Sequence, residues 1–150
     1  MDLQIDDFYK DAAKGLLTLY QAFPRKVPLY VEDLIGLEEP DEFGLPSKRH
    51  QGCLSALVWL ADEGYIRYDT RLQFLALDQA VLTEKGFLRM TCPIMEDPNL
   101  PPSVGRVQGS LAHQLREGMR LGDSERIARL ARLIFEPPPR APWHATCDTA

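Results

Sequence analysis

Seven polar side chains in two short stretches carry most of the chemistry this sequence offers. Ser47, Lys48, Arg49, His50 and Gln51 stand together ahead of an apolar run, and Arg67 and Arg71 follow it. A forked Arg can bond two acceptors on a guanine edge and a Gln amide can pair with adenine, so Arg49 and Gln51 at a helix tip suit base reading. Arg67 and Arg71 suit the adjacent phosphate backbone. The plainer reading is a solvated helix start in which Lys48 and Arg49 answer the acids just before them, Glu38, Glu39, Asp41 and Glu42. Other chemistry is thin. His144 and Cys147 have the spacing of two metal ligands, but no second pair joins them. Cys53 falls in an apolar stripe, and no glycine-rich phosphate loop or paired-carboxylate site is visible, so neither an enzyme nor a cofactor is expected.

The element that must position the first cluster is a helix over 47–63. Ser47 follows Pro46 as its N-cap, and Cys53, Leu54, Leu57, Val58 and Ala61 form its inward stripe, widened by Trp59 and Leu60. Asp62 and Glu63 oppose the helix dipole at its end, which leaves the stop to Gly64. Tyr65 to Tyr68 then reads as a strand and Leu72 to Leu77 as its return, with the hairpin tip around Asp69, Thr70 and Arg71.

Upstream, Phe8, Ala12, Leu16, Leu19 and Phe23 recur at helical spacing behind a cap at Asp6 or Asp7, and Gly15 marks a close helix crossing. Val27 to Tyr30 is a short strand. A second short helix buries Leu34, Ile35 and Leu37, and the segment EEPDEFGLP is a loop. Downstream, Thr83 caps a helix that uses Leu82, Phe87, Leu88 and Met90. Residues 92–103 hold four prolines and read as a linker. Val104, Val107, Leu111, Leu115 and Met119 share one helical face, and after Leu121-Gly122-Asp123 a last helix carries Ile127, Leu130, Leu133 and Ile134, capped by Asp123 or Ser124. Residues 137–150 form a proline-rich tail with no core pattern.

The 150 residues bound the chain to one domain with an appended element, and 45% hydrophobic content supplies a core. No apolar run reaches membrane-span length, so a cytoplasmic protein without membrane contact is expected. Three scattered cysteines imply reduced thiols. The net charge of -5 sits mostly in residues 1 to 46, with ten acids against four bases, so duplex binding must rest on a local basic face.

The order helix, strand, helix, helix, hairpin, with Glu63-Gly64-Tyr65-Ile66 at the strand start and Leu82-Thr83-Glu84-Lys85-Gly86 after the hairpin, resembles the winged helix-turn-helix superfamily. The nearest likeness is to bacterial regulators of the MarR and PadR families, over residues 5 to 90. It implies a mainly α (α+β) fold with a β-hairpin wing, covering 1–91, and a transcriptional regulator that reads duplex DNA with the 47–63 helix. Ser47, Lys48, Arg49, His50, Gln51, Arg67 and Arg71 would make the contacts. Winged helices also serve as protein-interaction modules or subunits of larger assemblies, which need no basic tip, and that alternative stays open. The apolar stripes of residues 104–136 either pack back on the first domain or pair with a second copy, and a homodimer is the favoured expectation.

Overall fold

The computed structural model describes residues 3 to 95 and 98 to 136. Within them lie seven helices, α1 (Leu3–Ala22), α2 (Val31–Ile35), α3 (Lys48–Asp62), α4 (Glu84–Met90), α5 (Pro102–Gln108), α6 (Leu111–Leu121) and α7 (Ser124–Phe135). Four short strands, β1 (Val27–Tyr30), β2 (Ile66–Arg67), β3 (Thr70–Leu72) and β4 (Ala76–Leu82), complete an α+β fold.

The core gathers around α1, which packs against α2, α3, α4, α6 and α7 and against β1 and β4. Ala12, Ala13, Leu16, Leu17 and Leu19 are buried, and each fully buried leucine contributes about 1.5–3 kcal/mol. Gly15 marks the expected close crossing: a Cβ there would lie 2.7 Å from Leu57 Cδ2 on α3. The start of α1 differs from expectation. The helix already runs from Leu3, so Asp6 lies in its first turn and Asp7 inside it, and neither is the cap.

β4 is the central strand, antiparallel to β1 on one side and to β2 and β3 on the other. The return strand is therefore Ala76–Leu82 rather than 72–77, and the hairpin turns at Gln73, Phe74 and Leu75 rather than at 69–71. Asp69 N donates to Asp78 O at 3.0 Å, so the residues expected at the tip are paired instead. A bulge explains the misreading. Gln79 has φ 55 and the β1 register shifts opposite it, so inward residues do not alternate along β4 and the run lacks a two-residue period.

Ser47 Oγ accepts from His50 N at 3.1 Å, the cap expected of α3. Gly64, at φ 83, ends the helix, with Tyr65 N donating to Leu60 O at 2.8 Å. Thr83 Oγ1 caps α4 by accepting from Gly86 N at 3.1 Å and donates to the carbonyls of Gly64 and Tyr65. Gly86 is required there, because a Cβ would meet Tyr65 O at 2.1 Å. Leu37 and Leu88, expected inside, are exposed.

The stretch expected as one helix from Val104 to Met119 is two. Ser110 caps α6 by accepting from His113 N, and Val104 and Val107 on α5 face solvent. The 92–103 segment, of which 96 and 97 lie outside the described residues, is not a free spacer: Ile94 N donates to Gly109 O and Pro93 bridges Ser110. Asp123 caps α7. Leu111, Leu115, Leu130 and Ile134 join the same core cluster as α1 and α3, so of the two readings of these stripes, packing back on the chain is the one seen. Phe135 completes an aromatic group with Phe8, Tyr9, Trp59 and Tyr65, at centroid distances of 5.3 to 6.1 Å. Among the described residues no helix is long and apolar enough to cross a membrane. The tail from 137, with His144 and Cys147, lies outside the described residues.

Candidate functional site

The first turn of α3 follows the loop of residues 36–46 and meets the hairpin tip through His50 and Phe74. Two of its five polar residues face inward. Arg49 Nη1 and Nη2 donate to the two carboxylate oxygens of Asp11 on α1 at 2.6 and 2.7 Å, and Asp7 stands 3.8 Å from Nε. Asp11 is 1% exposed, so this is a bidentate pair at the α1–α3 boundary. The hydrogen bonds to Asp11, opposed in part by burial, raise the Arg49 pKa well above the ordinary arginine range. Arg49 does answer acids, though on α1 rather than in the loop.

His50 is buried, and its Nε2 lies 2.5 Å from Phe74 O. Since a carbonyl only accepts, Nε2 carries the proton, and the ring ties α3 to the hairpin tip. Ser47 is occupied as the cap. Gln51 Nε2 donates to Pro46 O at 2.8 Å. Lys48 is exposed with no partner among the described residues. Arg71 Nε donates to Gln73 O at 3.0 Å, and its guanidinium lies 5.9 Å from the Phe74 ring. Arg67 is exposed on β2, which pairs with the end of β4 opposite the hairpin tip. The structure thus brings Ser47, Lys48, Gln51 and Arg71 near one surface, directs Arg49 and His50 inward, and sets Arg67 apart.

Exposed apolar side chains stand on the loop that leads into α3 and at the hairpin tip. Phe43 is 79% exposed, Leu37 80%, and Leu45, Phe74 and Leu75 are each about half exposed. The loop carrying Phe43 is ordered, because Asp41 Oδ1 accepts from both Phe43 N (2.9 Å) and Leu45 N (2.8 Å). The hairpin tip is pinned at two points, by His50 and by Val31 N donating to Leu75 O at 3.0 Å. Behind it, a groove lined by Leu54, Val58, Trp59 and Phe74 with Gln51 and Asp62 runs along the open side of α3. Reading by residue type missed these apolar residues. The usable signal was Phe43 and Leu45 set among acids, glycine and proline, where no periodic element could bury them.

Cys53, on the inner side of α3, has its thiol pushed up to about 12, chiefly by burial and secondarily by Asp11. It is a packing residue, not a thiolate nucleophile. No group of three His, Cys, Asp or Glu among the described residues could hold a metal ion. Compared with known proteins, the chain matches no family model, no curated protein and no solved structure.

Proposed function

We infer that the chain is a winged helix whose exposed loop, α3 tip and hairpin form a protein-docking surface. Support for the winged-helix reading is the element order: α1, β1, α2, α3, then β2 and β3 returning as β4 through a turn beside the α3 tip. One observation carries the docking reading: large apolar residues stand exposed on ordered backbone where a duplex reader needs cations. Exposed apolar clusters mark interaction surfaces, whereas duplex binding draws most of its affinity from phosphate neutralisation.

The test is a photocrosslinking residue at Phe43 or Leu45 in cells expressing the full chain. A discrete protein adduct is expected from these positions and none from Gln21, on the far part of α1. Adducts of equal pattern from all three positions would sink the reading.

Duplex reading remains a second proposal, favoured by the exposed Lys48 and by Arg71, which lines the same groove as Gln51. It requires duplex retention at low salt, weakened in Lys48→Ala with a salt slope shallower by about one charge. Arg49 is a poor probe of it, since removing that side chain strips Asp11 of its partner. A homodimer, if formed, would use surfaces other than the α6 and α7 stripes, which α1 already covers.

A further inference from the structure

We propose that the occupant of this surface is a short basic segment of a partner protein, its large apolar side chains seated on Phe43, Leu45 and Phe74 and its Lys or Arg residues over the loop acids. This rests on the docking reading above and adds the partner's chemistry.

Residues 31 to 46 hold six acids and no base. Asp41 uses its carboxylate to hold the loop. Glu38, Glu39 and Glu42 enter no ion pair among the described residues; Glu39 and Glu42 are exposed and Glu38 is partly so, on the same loop as the exposed Leu37, Phe43 and Leu45. Lys48 and Arg71 stand on the α3 and hairpin side instead. The loop thus carries both the acids and the most exposed apolar side chains, while Phe74 and Leu75 at the hairpin stand beside the cations. An acidic partner would meet like charge along the whole loop, which costs affinity and slows encounter. A neutral apolar partner would leave the glutamates desolvated without counter-charges. A segment combining apolar anchors with cations satisfies both the acids and the apolar side chains, and the apolar anchors supply most of the binding energy.

The test begins with a phage-displayed library of random peptides panned on the immobilised full chain. Recovered peptides are expected to be cationic and to carry large apolar residues. Added to isotope-labelled chain, they should shift the amide signals of residues 37 to 51 and 73 to 75. The triple variant Glu38→Lys, Glu39→Lys, Glu42→Lys should bind them about tenfold or more weakly, and Phe43→Ser likewise. Both variants alter exposed or partly exposed side chains, and circular dichroism checks that the fold is kept. Enrichment of acidic or neutral peptides, full affinity in the triple variant, or no enrichment at all overturns the proposal. The two failures are separable. Neutral peptides that shift the same signals leave the docking surface standing without its charge preference, whereas a duplex that shifts them when no peptide does removes both.

Discussion

The two sides of α3 use side chains against their type. On the side facing α1, a charged pair, Arg49 with Asp11, sits at the edge of a leucine and alanine core. On the open side, phenylalanine and leucine residues are exposed on a loop and a turn. The inner pair is closed to partners because its geometry is complete: two short parallel hydrogen bonds occupy both carboxylate oxygens. The outer residues are apolar and ordered with nothing in the described chain to cover them. Residue type therefore misleads at this tip. A guanidinium that looks like a reader is a strut, and side chains that look like core are the ones a partner can reach.

The largest expected effect breaks the inner side. Arg49→Ala leaves the almost fully buried Asp11 carboxyl without its partner, and should destabilise the chain by about 3 kcal/mol, at the low end for a broken buried pair because Arg49 is partly in solvent. Replacing both partners, Asp11→Leu with Arg49→Met, should recover most of that loss, since an apolar pair needs no counter-charge. Urea denaturation of the wild type and both variants measures it. A single variant as stable as the wild type would mean that Arg49 is free to serve the outer surface.

A smaller effect sharpens the same side through pH. With the Cys53 thiol raised from an ordinary value of 9.0 to about 12, the folded chain keeps a proton that the unfolded chain releases between those values. That contribution is complete below about pH 9 and is lost as pH rises toward 12. Between pH 7 and pH 10 the wild type should therefore lose about 1 kcal/mol more than Cys53→Ala. Denaturation midpoints at the two pH values test this, and parallel pH dependence of the two proteins would place Cys53 in contact with water.

What the sequence disclosed follows from the range over which each signal acts. Ser47, Thr83 and Asp123 were legible as caps because a cap bonds an amide three residues ahead. Gly64 was legible because few other residues tolerate its φ. The hairpin tip was not, since the bulge at Gln79 removed the alternation that would have revealed β4. The break between α5 and α6 was hidden by apolar spacing that continues across Ser110. Least legible was the role of Arg49, whose partner lies 38 positions away on another helix. No local pattern distinguishes an arginine waiting for phosphate from one already held by a carboxylate.

The smallest effect on stability belongs to the outer side, and it is the one that separates the two regions most cleanly. Phe43 touches no core cluster, so Phe43→Ser should change folding stability by no more than about 0.5 kcal/mol. Its backbone amide still donates to Asp41, because that bond does not involve the side chain. The variant should also be less prone to associate at high concentration, since it removes the most exposed aromatic ring of the patch. Thermal melts and light scattering on wild type and variant decide the matter together. Unchanged melting with reduced association would mean that Phe43 is kept outside for an intermolecular contact. A large drop in melting temperature would mean that the loop folds over it in solution and that the surface is core after all.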